Sequence, residues 1–156
     1  MARLSNALKP RARDAKQIEL IFDPFTGVIP ALFVDPVMIE SALTNLIENA
    51  CKYGHRKSIV IITPKVIETG FAIEVINDGI PILPEELDLL LYEGYRSPLA
   101  RSVASGQGFG LNIVSEIMQL HGGTVRVSHA EGKTTVRLSF PREIQFKEFQ
   151  KKQEQT

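Results

Sequence analysis

A single cysteine, Cys51, stands in the 156 residues. No intrachain disulfide framework can form, and such usage fits a reducing compartment. The three histidines and that one thiol make no cluster at zinc-ligand spacing. Neither sign of charge is in excess: eighteen Lys and Arg balance eighteen Asp and Glu. A net charge of zero gives no electrostatic reason to expect nucleic acid as a partner. No apolar run approaches the roughly 20 residues that a membrane-spanning helix needs. The start, Met1-Ala2-Arg3-Leu4-Ser5, lacks the apolar core of a signal peptide. What remains is the ordinary balance of a globular chain, long enough for one domain with a real core.

Glycine, by contrast, is concentrated. Ser105-Gly106-Gln107-Gly108-Phe109-Gly110-Leu111 sets three glycines at alternate positions. They run into a helical apolar stripe, Ile113, Val114, Ile117, Met118 and Leu120, that ends at His121-Gly122-Gly123. Glycines allow tight turns and close backbone approach to a ligand. The first amides of the following helix lack intrahelical partners and carry the positive end of the dipole, which suits phosphate. A plain turn is the alternative reading of such a run.

Around this run the pattern predicts the remaining elements. Residues 4–17 read as a short or broken helix interrupted by Pro10. Residues 18–22 and 31–34 read as a hairpin of two strands across Asp23-Pro24-Phe25-Thr26-Gly27. Asp35-Pro36 opens a long helix, because Asp is a favoured N-cap and Pro a favoured first residue. Its buried stripe is Val37, Ile39, Leu43, Leu46, Ile47 and Ala50, and Gly54 is a natural end. Strands at 58–63 and 71–76, turns at 77–84 and a short helix at 85–91 follow. Residues 93–105 show no periodicity and suit a mobile surface loop. Strands at 124–128 and 134–140 close a final hairpin. This order predicts an α+β two-layer sandwich: a mixed sheet of about five or more strands, covered on one face by about three helices. It lacks the strand–helix alternation of a dinucleotide fold. One domain is expected over residues 1–142, with a polar tail, frayed or disordered, over 143–156.

The long helix carries a second anomaly. Asn45, Glu48, Asn49 and Lys52 recur at spacings of three and four. Asn competes with the helical backbone and is normally found at helix ends. Two mid-helix asparagines beside a lysine suit a polar ligand: an amide oxygen for a hard cation such as Mg²⁺, and a point cation for phosphate. A solvated helix face is the alternative.

Taken in order, these motifs resemble the ATP-binding catalytic domain of sensor histidine kinases, within the superfamily of gyrase, heat-shock chaperone and mismatch-repair ATPases, whose ATP-binding fold is of the Bergerat type. Leu43 to Tyr53 resembles the asparagine box, Val75 to Ile82 the first glycine box, and Gly106 to Leu111 the second. Gly132 to Val136, ending at Phe140-Pro141, resembles the closing motif, and the resemblance covers roughly residues 4 to 141. It implies that ATP and Mg²⁺ are the cofactors, with Asn49 as metal ligand. Asn45 and Lys52 would lie against the phosphates, and Tyr53 against adenine or ribose. Asn77, Asp78, Gly79 and Ile82 would belong to the base-binding box. Gly106, Gly108, Phe109, Gly110 and Leu111 would form the lid hinge, and Thr134 would hold the polar network behind the base. Arg96 is the candidate γ-phosphate contact, and Glu48 a group that could polarise the incoming nucleophile.

Three departures matter. The family usually has Asp where this chain has Asn77, so the adenine amino group is read by Asn77 or, one place on, by Asp78. Pro81 replaces a second glycine. Asn45 stands where the hydrolases of the superfamily have a glutamate, and an amide cannot act as general base. None of His55, His121 and His129 has the surroundings of a phosphoacceptor. The resemblance therefore implies transfer of the γ-phosphate to a histidine on a separate dimerisation domain, in cis or in trans, with a response regulator downstream. The chain would be a fragment or a stand-alone protein, cytoplasmic, with no nucleic acid or membrane contact of its own. The alternatives are a pseudokinase or docking module that binds nucleotide weakly, and a serine kinase of the anti-sigma type on the same fold.

Overall fold

A computed structural model describes residues 16–28 and 32–141. Five strands form one mixed sheet: β1 (Glu19–Phe22), β2 (Ile59–Ile67), β3 (Gly70–Asp78), β4 (Thr124–Ala130) and β5 (Lys133–Pro141). Their order is β1-β2-β3-β5-β4, with β1 parallel to β2 and every other pair antiparallel. Among the described residues three α-helices accompany them: α1 (Pro36–Tyr53), α2 (Pro98–Val103) and α3 (Gly110–Leu120). This is the two-layer sandwich that the element order predicts. Among the described residues no helix is long and apolar enough to cross a membrane.

The core follows from two periodicities. Helical spacing buries Leu43, Leu46, Ile47 and Ala50 of α1 and Val114, Ile117 and Met118 of α3. Alternation along the strands presents Val60, Ile62, Phe71, Val75, Leu138 and Phe140 to them. Each such large side chain contributes about 1.5–3 kcal/mol on burial. Phe71 packs edge-on to Phe25 at 5.7 Å between ring centroids, which closes the β1 end of the core.

Asp35 caps α1 as its sequence predicts: its carboxylate accepts from the amides of Val37 at 2.8 Å and Met38 at 3.2 Å. Gly54 ends α1 in an extended conformation, φ −69°, not a left-handed one. It does so because the chain pairs at once with the end of β3, through a bridge from Gly54 to Gly79. The amide of Ile80 donates to the Tyr53 carbonyl at 3.1 Å, and that of His55 to the Asp78 carbonyl at 3.0 Å. From the other side Lys16 Nζ donates to the carbonyls of Gly54 at 2.8 Å and Lys52 at 2.5 Å. Burial pushes the Lys16 amine below the ordinary lysine value, against a smaller opposing effect of the Cys51 thiol.

Four expectations are corrected. No hairpin joins 18–22 to 31–34: β1 pairs with β2 instead, and residues 32–34 form no strand. β3 runs on to Asp78 through the expected turn, because β5 pairs with it over its whole length. The expected helix at 85–91 is two 3₁₀ turns, Pro84–Glu86 and Leu89–Leu91. Residues 93–105 are not a featureless loop but contain α2, capped by Ser97 Oγ accepting from the Ala100 amide at 3.1 Å. Residues 4–15 of the expected first helix and the expected tail at 143–156 lie outside the described residues.

Candidate functional site

A cavity of about 390 Å³ opens between α1, the pocket ends of β3 and β5, and the segment from Tyr95 to Gly110. That is within the size range of sites for small molecules and cofactors. It draws together residues more than eighty positions apart in the chain: Asn45, Asn49, Lys52 and Tyr53 of α1, Asn77 of β3, Ile82, Arg96, Gly108, Phe109, Gly110, Leu111 and Thr134.

On α1 the helical spacing turns Asn45, Asn49 and Lys52 towards the cavity. The Asn45 amide donates to the Ser41 carbonyl at 3.0 Å, and no donor among the described residues bonds its oxygen. Asn49 lies against the start of α3: a Cβ built on Gly110 would stand 2.9 Å from Asn49 Nδ2. Lys52 Nζ sits 5.4 Å from the centre of the Tyr53 ring and packs against Gly106. Among the described residues it has no carboxylate partner. Phe109 precedes α3 without a side-chain cap, so the first amides of that helix keep their donors for another acceptor.

Arg96 holds the segment from α2 to Gly106. Its Nη1 donates to the Gly106 carbonyl at 2.8 Å, and its Nη2 to the carbonyls of Ala100, at 2.7 Å, and Ala104. Its Nε is buried without a partner among the described residues. The candidate γ-phosphate contact is thus engaged as a clasp on both sides of α2. The Gly94 amide donates to the Gly108 carbonyl at 3.2 Å, with Gly108 in the left-handed region at φ 83°. Tyr95 also lines the cavity and donates to Glu86 at 3.4 Å. Burial first, then the Glu86 carboxylate, raises its phenol above the ordinary tyrosine value.

At the sheet floor, alternation sends the two candidate base readers to opposite faces. Asn77 faces the cavity and is 7% exposed. Asp78 points to the opposite face of the sheet and pairs with Lys133 at 2.9 Å. Asp78 is therefore corrected out of the cavity. Glu48 and Gly106 are exposed and Gly79 is buried, and none of the three is among the lining residues. Gly79 backs onto the Tyr53 carbonyl, where a Cβ would stand 2.8 Å away. Thr134 lies directly across from Asn77 in the β3–β5 ladder. Its Oγ1 is 2.9 Å from His129 Nδ1, a link that the sequence reading passed over. The signal for it was there: His129 and Thr134 are paired positions of a tight hairpin. Among the described residues no group of three His, Cys, Asp or Glu side chains could hold a metal ion.

Residues 34–144 match the family described as histidine kinase-, DNA gyrase B- and HSP90-like ATPases. Among curated relatives, the sensor protein CzcS of Cupriavidus metallidurans is 35% identical over 112 residues, 70% of this chain and 24% of CzcS. The probable sensor kinase SilS of Salmonella typhimurium is 32% identical over 139 residues, 88% of this chain and 27% of SilS. The chain spans about a quarter of the length of these relatives. In solved structures, the catalytic domain of histidine kinase ThkA superposes with a TM-score of 0.74 at 20% identity, covering 90% of each chain. The mycobacterial sensor histidine kinase MprB superposes with a TM-score of 0.70 at 23% identity, covering 90% of this chain and 93% of the other. These two likenesses establish the fold. With the glycine-rich segment before α3, the asparagine-bearing helix and the sheet floor brought to one cavity, the chain belongs to the family of histidine kinase-, DNA gyrase B- and HSP90-like ATPases, among relatives that are sensor kinases.

Proposed function

We propose that the chain binds Mg-ATP in this cavity and donates the γ-phosphate to a histidine on a separate dimerisation domain, as the catalytic domain of a two-component sensor histidine kinase. The observation that carries the reading is the convergence on one cavity of the Asn49 amide, the Lys52 ammonium, which has no carboxylate partner among the described residues, and the uncapped start of α3. Asn49 offers one neutral oxygen ligand. That suits an ion that keeps water and phosphate as its other ligands, and among the described residues no cluster of His, Cys, Asp or Glu competes with it. Bound Mg²⁺ would neutralise phosphate charge and hold the β- and γ-phosphates in one geometry.

The residues of this chain then have distinct tasks. Lys52 holds phosphate charge as a point cation. The first amides of α3 donate to the phosphate oxygens at the positive end of the helix dipole. Tyr53, Val75 and Val136 supply apolar surface for the base. In the reaction an imidazole nitrogen of the acceptor attacks the γ-phosphorus, the bond to the β–γ bridging oxygen breaks, and ADP leaves with that oxygen. Asn45 cannot take a proton from water, which favours transfer to an acceptor over hydrolysis. Arg96 would reach the γ-phosphate only by giving up carbonyls of the lid, which couples lid rearrangement to contact. A response regulator would take the phosphoryl group in turn, and the site would operate in the cytoplasm.

Titration calorimetry with ATP, with and without Mg²⁺, tests the binding step. Heat that requires Mg²⁺ is expected, and no heat at millimolar ATP sinks the reading. Incubation with labelled ATP and a dimerisation domain should then yield acid-labile phosphate, whereas acid-stable label would point to a serine kinase.

A further inference from the structure

The floor of the cavity is polar but uncharged. No Asp or Glu is among the lining residues, and the lining cations, Lys52 and Arg96, belong to α1 and the lid. The polar groups below are Asn77 and Thr134, opposite each other across β3 and β5. Each can both donate and accept. So can His129, whose Nδ1 shares a hydrogen bond with Thr134 Oγ1 at 2.9 Å. No hydrogen bond among the described residues fixes which way round the Asn77 amide sits. Its Nδ2 occupies the space beside Gly79 where a Cβ would stand 2.6 Å away, so glycine at that position leaves the amide room.

Purines differ at this edge in a way that an amide can follow. A 6-amino purine presents an N6–H donor beside the N1 acceptor. A 6-oxo purine presents the O6 acceptor beside an N1–H donor. A carboxylate in place of Asn77 would accept only, serving the amino group and repelling O6. An amide carries an acceptor and a donor side by side, and half a turn about χ2 exchanges them. The Thr134 hydroxyl can rotate to match, because His129 can stand on either side of its hydrogen bond.

We propose that Asn77 makes this a site for purine nucleoside triphosphates in general, taking the 6-oxo purines of ITP and GTP as well as ATP. The inference rests on the nucleotide reading above. The triphosphate, ribose and metal are common to all three ligands, so Asn49, Lys52 and the start of α3 do not discriminate among them. Selectivity therefore falls to the sheet floor.

The test is calorimetric titration of the whole chain with Mg-ATP, Mg-ITP and Mg-GTP in parallel. ITP is expected to bind within about tenfold of ATP, because both edges can be fully paired. ITP weaker than ATP by about a hundredfold or more would overturn the proposal while leaving the ATP reading intact. Heat from none of the three would overturn the ATP reading and this one with it. GTP weaker than ATP by about a hundredfold or more while ITP stays within about tenfold would overturn the proposal for GTP and assign that exclusion to the 2-amino group. In the Asn77→Asp variant the affinity for ITP relative to ATP should fall at least about tenfold, since a charged acceptor faces O6. An unchanged ratio in that variant would remove Asn77 as the selecting group. Because a ratio is read within one protein, a general loss of stability does not mimic it.

Discussion

Gly110 and Asn49 meet where α3 begins: a Cβ on residue 110 would stand 2.9 Å from Nδ2 and 3.4 Å from Oδ1 of the asparagine. The two sit on different helices and both line the cavity. The third glycine of the lid motif thus keeps the proposed metal ligand in place by having no side chain.

Gly110→Ala separates binding from stability. Residue 110 is the first residue of α3 and has no positive φ, so Ala fits its backbone. Replacing Gly should raise stability by about 0.4–1 kcal/mol. The new methyl must displace the Asn49 amide, the free end of a side chain, and Mg-dependent ATP affinity should fall about tenfold. Thermal unfolding and calorimetry on the same sample check both signs. Affinity unchanged together with higher stability would show that Asn49 is not the ligand. Asn49→Ala should abolish the magnesium dependence altogether.

Arg96→Met removes the three carbonyl contacts that hold Gly106 and the two ends of α2 together. A six-residue helix is too short to persist on propensity alone. The lid should therefore open locally, with faster amide exchange and proteolysis over residues 97–106. The α1–α3–sheet core should be little affected, because Ala100, the buried residue of α2, is not part of the core cluster. Hydrogen exchange followed by mass spectrometry reads both regions at once. Equal acceleration in α1 would show that the lid and the core form one cooperative unit.

Why some of this was legible in the sequence and some was not is visible in particular residues. Asp35-Pro36 and the stripe from Leu43 to Ala50 give α1 its start and its buried face, because capping and helical period are local properties. Ser97-Pro98 carries the same start signal for α2, but six residues are too few to show a period, so the helix was missed. The strand at 19–22 was legible as a strand but not its partner, since parallel pairing with β2 is decided some forty residues away. Asn77 and Asp78 could not be told apart while the strand was ended at Ile76. Once β3 extends to Asp78, alternation alone sends one into the cavity and the other to Lys133. The clasp of Arg96 on backbone carbonyls leaves no sequence signature, because any residue type supplies a carbonyl.

Histidine positions offer a contrast that needs no nucleotide. His121 Nδ1 stands 2.7 Å from the Ile117 carbonyl, which can only accept, so Nδ1 carries the hydrogen. Its Nε2 is then free to accept from the Asp35 amide at 3.0 Å. One ring thereby ties the last turn of α3 to the cap of α1. His121→Ala should cost about 1–2 kcal/mol in denaturant unfolding. His55 is exposed beyond the end of α1, and His55→Ala should stay within about 0.5 kcal/mol. Equal effects would mean that the His121 contacts contribute nothing.

The outer face of the sheet provides a pH test. Glu74 is 3% exposed, with Arg137 Nε at 2.6 Å from Oε1 and Lys65 Nζ at 2.5 Å from Oε2. Burial alone would raise its carboxyl, but the hydrogen bonds and charges of Lys65 and Arg137 outweigh it and hold the group below the ordinary glutamate value. A carboxylate depressed in the folded state stabilises fully above its unfolded value of about 4.3 and loses that contribution as pH falls through the folded value. Glu74→Gln removes the charge and leaves Lys65 and Arg137 facing each other. At pH 7 the variant should be less stable by about 1–2 kcal/mol, a figure kept small because both cations are about two-fifths exposed. The difference should hold down to about pH 5 and shrink below pH 4, where the wild-type carboxylate takes up its proton. Urea unfolding of both proteins between pH 7 and pH 3 measures it, and a gap that stays constant to pH 3 would show that the ion pairs do not set the Glu74 contribution.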